Sequence, residues 1–266
     1  MHDGEIISSK LKDIGIQFSP ESVSRWIVSS QADEDSIGKV VSLLGEIKLS
    51  NDAVRRKALR EVSRIPQTAR KTFENFDYSV TTDKNRDTLL SLKSLSFIDA
   101  GCNVIISGDK GTGKTHIAQA IGNQCIEDLR RVCFLTLRDL QDRIRRSIDS
   151  GKSSTLVANL AGFQCLIIDE VGFCRLSEDE THVFFSLINK RYSSAHGSMV
   201  ITSNCQPSGW EDIFADKNAA LCMLDRLFDH SICIDFRGPS YRGRTKMVEK
   251  MNFFSEPRIP GFVTSR

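Results

Sequence analysis

Apolar residues recur along this chain at two different spacings. In the first quarter they fall three and four apart: Ile37, Val40, Val41, Leu44 and Ile47 mark one helical face, and Val54, Ala58, Leu59 and Val62 mark another. Ile65-Pro66 predicts the stop of the second helix, because the residue before a proline is pushed out of the helical region. Leu89, Leu90, Leu92, Leu95, Phe97 and Ile98 predict a further apolar helix that ends at Gly101. From Asn103 onward the pattern changes. Short continuous apolar runs, the mark of fully buried strands, occur at 103–107, 132–135, 163–168, 198–202 and 232–234. Between them lie segments with helical spacing: after residue 115, from Arg138 to Ser150, around Leu156-Val157 and Leu160, from Glu178 to Tyr192, and from Ala219 to Phe228.

The first of these strand-to-helix junctions carries chemistry. Gly108-Asp109-Lys110-Gly111-Thr112-Gly113-Lys114-Thr115 satisfies G-x-x-x-x-G-K-[ST], with an apolar strand before it and a helix, opening at His116, after it. Its glycines let the backbone turn sharply and aim successive N–H groups at a polyphosphate. The helix N-terminus adds the positive end of its dipole. Lys114 would reach the β- and γ-phosphates of ATP, and the Thr115 hydroxyl would hold Mg²⁺.

A second landmark is Phe163-Gln164-Cys165-Leu166-Ile167-Ile168-Asp169-Glu170, an apolar strand that ends in two acids. In isolation this is a common strand ending. Beside a phosphate loop it reads as a Walker B motif, with Asp169 holding Mg²⁺ and Glu170 polarising the water that attacks the γ-phosphate. The run at 198–202 closes in Ser203-Asn204; Asn204 either senses the γ-phosphate between the other two strand tips or simply opens a turn. The connector Thr72–Tyr78 is rich in aromatics, which suits packing the linker down or lining an adenine pocket.

Composition narrows the class without naming it. The 266 residues are 40% apolar and 26% charged, enough for a sizeable core, and the net charge of +2 says little about partners. Eight scattered cysteines, with no C-x-x-C pair, read as small buried hydrophobes in a reducing cytoplasm and not as a zinc site or disulfide framework. No run approaches a membrane span, and the N-terminus lacks a signal-peptide pattern, so the expectation is a cytoplasmic protein without a membrane partner. Charge is unevenly spread. Residues 51–71 hold seven Lys/Arg against two Asp/Glu, and Arg56, Arg60 and Arg64 fall four apart as a basic stripe. Such a stripe is usually a solvated face; here it is also a candidate contact for DNA phosphates. The helix from Arg138 carries Arg143, Arg145 and Arg146.

Five motifs in register, Gly-x-x-Gly-Thr-Gly-Lys-Thr-His, Leu-Ile-Ile-Asp-Glu-Val-Gly-Phe, Ile-Thr-Ser-Asn-x-x-x-x-x-Trp, Leu-Asp-Arg-Leu and Gly-x-Ser-Tyr-Arg, resemble IstB-like proteins from Thr72 to about Arg244. These are ATP-binding helpers of insertion-sequence transposases, and DnaC-type helicase loaders are their relatives. The resemblance implies an α/β fold of the P-loop AAA+ kind, a parallel sheet with helices on both faces and nucleotide at the strands' C-terminal ends. It implies an ATPase that forms a homo-oligomer, ring or helical, and contacts DNA mainly through its backbone. Its partner would be a transposase or, alternatively, a replicative helicase. It also implies that Asn204 is similar to sensor 1, that Arg226 resembles an arginine finger offered to a neighbouring subunit, and that Arg242, or failing it Arg244, resembles sensor 2. The Arg138–Arg146 helix lies where this group carries an extra DNA-contacting helix.

The chain departs from the family pattern in three places. Asp109-Lys110 stands where Pro-Pro is usual, Cys205-Gln206-Pro207 replaces Leu-Pro-Phe, and about thirty residues follow the last strand, fewer than a full helical lid. The expected organisation is a helical N-terminal domain for DNA or partner binding at 1–71, an ATPase domain at 72–250 with a reduced C-terminal lid, and a basic tail at 251–266. Two other classes compete. A P-loop kinase for a small metabolite is disfavoured by Asp169-Glu170 and Leu-Asp-Arg-Leu; a non-hydrolysing nucleotide switch would show no DNA-stimulated turnover.

Overall fold

The computed structural model describes residues 2–194 and 197–237. Its chain divides into two compact units, Met1–Val62 and Ser63–Arg266. Arg242, Arg244 and the tail at 251–266 lie outside the described residues.

The first unit is helical: α1 (His2–Asp13), α2 (Pro20–Ser30) and α3 (Glu34–Ser63). Ile7, Val23 and Leu44 form its small buried core. Ser19 caps α2, its hydroxyl accepting from the Ser22 N–H at 3.2 Å, and Pro20 at the first helical position suits a start that needs no N–H. Two helices were expected between residues 37 and 62; they are one continuous helix of 30 residues. The apolar stripe shifts face along it, and nothing between Ile47 and Val54 is a helix breaker. The helix stops at Ser63, where Arg64 takes a left-handed φ of 61° and Ser63 Oγ accepts from the Ile65 N–H. Arg64 therefore leaves the basic stripe that Arg56 and Arg60 share on α3. Residues 63–71 belong to the second unit, not the first: Ile65 is buried there, its tip against Gly122.

The second unit is built on a parallel five-stranded sheet: β1 (Asn103–Gly108), β2 (Val132–Thr136), β3 (Cys165–Val171), β4 (Ser198–Ser203) and β5 (Ser231–Phe236), in the order β2-β3-β4-β1-β5. The helices are α4 (Asp83–Ser91), α5 (Ser96–Asp99), α6 (Lys114–Glu127), α7 (Leu137–Asp149), α8 (Ser153–Ala161), α9 (Glu178–Ser194) and α10 (Lys217–Asp229). Strand side chains alternate between faces. Ile105, Leu166, Ile168, Met199 and Ile201 join one cluster with Leu140 and Ile144 of α7, Leu160 of α8, Leu187 of α9 and Met223 of α10. Ile167 points the other way, toward Gly122 of α6, where a β-carbon would meet its tip at 3.1 Å. Both sheet faces are thus covered, which is why the strands read as unbroken apolar runs.

The apolar stretch at 89–98 is not one helix. It breaks into α4, a 3₁₀ turn (Leu92–Ser94) and α5, around Leu95 at φ 56°. Leu89, Leu92, Leu95, Phe97 and Ile98 are all buried, and a straight helix would leave some of these on its outer side.

Candidate nucleotide-binding site

Strand order brings the tip of β4 between those of β1 and β3. Ligands in open parallel sheets collect at such carboxyl ends, where the order of strands reverses. A cleft of about 640 Å³ opens there, lined by Lys110, Gly111, Thr112, Gly113, Lys114, Thr115, His116, Glu170, Thr202, Ser203 and Asn204, among others.

The phosphate loop follows β1 directly. At Gly108, φ is 130° and an added β-carbon would lie 2.0 Å from the Phe236 carbonyl oxygen; at Gly113, φ is 101° and a β-carbon would strike the Phe76 ring at 2.6 Å. Only glycine fits either position. Thr112 Oγ1 donates to the Asp109 carbonyl at 2.8 Å and tightens the turn. Lys114 is nearly buried, and its ammonium donates to the carbonyls of Gly108 at 2.8 Å and Asp109 at 2.5 Å. Burial pushes its pKa below the usual lysine range, with Asp109 and Asp169 opposing.

Thr115 Oγ1 donates to Asp169 Oδ1 at 3.1 Å, and Thr202 Oγ1 donates to the same oxygen. Burial raises the Asp169 carboxyl above its ordinary pKa, against these hydroxyls, the Glu170 backbone and Lys114. A hydroxyl and a carboxylate side by side are hard oxygen donors, and no group of three or more His, Cys, Asp and Glu accompanies them among the described residues. That is a donor set for Mg²⁺, which keeps waters and substrate phosphates as its other ligands. Glu170 is exposed on the cleft, next in sequence to a carboxylate that is almost fully buried.

The aromatic connector is packed down, and part of it lines the cleft. Phe73 and Phe76 are buried, and Lys71, Asn75, Phe76 and Asp77 line the cleft. Phe76 meets the His116 ring edge-on at 5.2 Å. The His116 Nε2–H faces the Thr72 carbonyl at 3.0 Å and Asn75 Oδ1 at 2.9 Å, which pins the connector to α6. Burial lowers the His116 pKa against that Thr72 bond.

Other expected residues lie apart from the cleft. Arg226, on α10, stacks over the Phe185 ring at 5.3 Å and donates to the Cys222 carbonyl at 3.1 Å; it does not line the cleft of its own chain. On α7, Arg145 is tied to the buried carboxylate of Glu180. Arg143 is partly buried, one guanidinium nitrogen lacks a partner among the described residues, and burial with Arg64 nearby lowers its pKa. Arg146 Nε donates to the Asp142 carbonyl at 3.1 Å, and the residue is exposed. Sequence reasoning did not single out Thr202, Ser203 or Trp210. Ser203 Oγ donates to the Val171 carbonyl at 2.7 Å and accepts from Trp210 Nε1 at 3.1 Å. The signal available was the fixed Ser-to-Trp spacing in the Ile-Thr-Ser-Asn motif.

The sheet order, the glycine loop and the two carboxylates define a P-loop ATP-binding protein with the AAA+ fold. Comparison with known proteins narrows this. The chain belongs to the IstB-like ATP binding protein family, whose family model matches residues 21–249. It is 34% identical over 194 residues to a Geobacillus stearothermophilus protein of insertion sequence IS5376 that is named for ATP binding, covering 73% of this chain and 76% of that one. The corresponding protein of insertion sequence IS21 from Pseudomonas aeruginosa is 29% identical, over 92% of this chain and 91% of that one. Among solved structures, domain III of the Thermotoga maritima replication initiation protein DnaA has a similar fold, with a TM-score of 0.52 and 25% identity over 73% of this chain and 78% of that one. No helix among the described residues is long and apolar enough to cross a membrane.

Proposed function

We propose that this protein is a Mg²⁺-dependent ATPase that assembles on DNA and assists a transposase in choosing or activating its target. One observation carries the reading: a single cleft is lined by Lys114, Thr115, Glu170 and Asn204, and its Thr115 is hydrogen-bonded to Asp169. Membership of a family whose members are named for insertion sequences supports the transposase half.

In this reading the N–H groups of Gly108–Thr115 and the Lys114 ammonium bind the triphosphate. Thr115 and Asp169 would hold Mg²⁺, which would supply positive charge against the negative charge of the phosphate oxygens. Glu170 orients and deprotonates the attacking water, while Asn204 contacts the γ-phosphate. Arg226 is left to serve the cleft of a neighbouring subunit, and such a residue in trans is worth roughly 10³–10⁵ in rate in comparable systems. Turnover then depends on assembly. Arg56, Arg60, Arg64, Arg143 and Arg146 contact DNA phosphates without base readout; Arg145 is committed to Glu180 and contributes less. Arg242 remains a proposed sensor 2.

Glu170→Gln is expected to bind ATP normally and to accumulate ATP-stabilised oligomers on duplex DNA, seen by sedimentation. Rapid release of DNA by that variant in ATP would sink the proposal. A DnaC-like helicase loader shares this engine; pull-down of an insertion-sequence transposase, against a replicative helicase, separates the two.

A further inference from the structure

The pairing of β3 with β4 is irregular at one place, and it is the mouth of the cleft. Ile168 stands opposite Ile201 and Val171 opposite Ser203, so Asp169 and Glu170 together face the single residue Thr202. Two residues against one make a β-bulge, which leaves a backbone group without its ladder partner. Here that group is the Glu170 N–H, and it donates to Thr202 Oγ1 at 3.1 Å. The same hydroxyl spends its one proton on Asp169 Oδ1.

The bulge has a consequence for the chemistry. A regular strand sends consecutive side chains to opposite faces. Glu170 instead adopts φ 61°, a left-handed conformation that a β-carbon disfavours. Two adjacent carboxylates then serve one cleft: Asp169 meets Thr115, and Glu170 lines the opening. Something must hold that conformation, and Thr202, 2% exposed, touches both halves of it. The next residue on β4 is fastened independently, through Ser203 to Val171 and Trp210. Loss of the Thr202 hydroxyl should therefore free Glu170 without undoing the strand.

We propose that Thr202 is a positioning residue for hydrolysis, its hydroxyl bridging the bulge and fixing the direction in which the Glu170 carboxylate faces the γ-phosphate. This rests on the reading of Glu170 as the residue that activates water. The test compares Thr202→Val, which keeps the shape and loses the hydroxyl, with Thr202→Ser, which keeps the hydroxyl. Steady-state ATP hydrolysis, ADP affinity and hydrogen exchange at the Glu170 amide are measured on the full chain.

Thr202→Val is expected to lower kcat by about 10²-fold, the usual cost of misplacing a reacting group by an ångström. KM and ADP affinity should change much less than kcat, because the phosphate loop and the Lys114 contacts are left in place. The Glu170 amide should exchange faster in the valine variant and regain protection, with kcat, in the serine variant. A folded Thr202→Val protein with unchanged kcat, or an unchanged Glu170 amide, overturns the assignment. Should the valine variant not fold, Thr202→Ala carries the same comparison. If the wild type hydrolyses ATP no faster than Glu170→Gln, the functional reading falls. Amide exchange alone then decides whether Thr202 holds Glu170: faster exchange in the valine variant supports it, and no change overturns it.

Discussion

Lys114 is a charged side chain with only 6% of its surface exposed, held by two carbonyls of its own loop. Carbonyls are neutral acceptors, and phosphate oxygens are charged ones that bond an ammonium roughly twice as strongly. ATP therefore competes well for this group. At about a hundred times its Kd, ATP should stabilise the protein by about 2.7 kcal/mol. Thermal unfolding with and without Mg·ATP checks this, and Lys114→Ala should lose most of the shift. The glycines, Lys114, Thr115, Asp169 and Glu170 were all legible in the sequence because each belongs to a contiguous run with fixed spacing. Thr202 was not. A threonine in an apolar strand looks like any β-branched residue chosen for a buried sheet, and its role appears only when the register opposes it to two residues.

Helices show where pattern fails and where it holds. Periodicity found α7 and α9, and Thr136 with Asp139 forms a capping box at the start of α7, the hydroxyl accepting from the Asp139 N–H at 3.0 Å. Periodicity could not say that α7 is fastened to α9 through Glu180. That carboxylate accepts from Gln141 Nε2 and the Ser177 N–H, each at 2.8 Å, and from Arg145. Burial works to raise its pKa, but those donors outweigh it and the net direction is down. Glu180→Ala leaves buried donors unpaired and should cost about 1–3 kcal/mol. Arg145→Ala, whose side chain is 57% exposed, should cost much less. Urea unfolding of the two variants measures the difference; equal losses would mean that the ion pair, not the buried network, holds α7. A basic stripe carries the same ambiguity. Arg143, Arg145 and Arg146 look alike in sequence, yet one is partly buried, one is paired with a buried acid and one is exposed.

Across the whole chain, two compact units are distinguished, Met1–Val62 and Ser63–Arg266. Every residue lining the cleft belongs to the second unit. A fragment of residues 63–266 should bind Mg·ATP with a Kd within about threefold of the full chain's, since uniform binding contacts are retained. DNA-stimulated turnover should fall sharply if Arg56 and Arg60 contact phosphate. Calorimetry and a turnover assay test the two halves separately. The boundary expected near residue 71 moved to residue 63 because Ile65 packs against Gly122 of α6, a contact that no local pattern announces.

From residue order alone came the strands, most of the helices, the phosphate loop and the acidic pair, because backbone period and glycine geometry are local properties. Only the folded chain decided that β4 lies between β1 and β3, that one hydroxyl answers for two residues there, and that Arg226 turns away from its own cleft. Those outcomes depend on which distant segments pair and at what register, and the free energy of pairing is not written in any single segment.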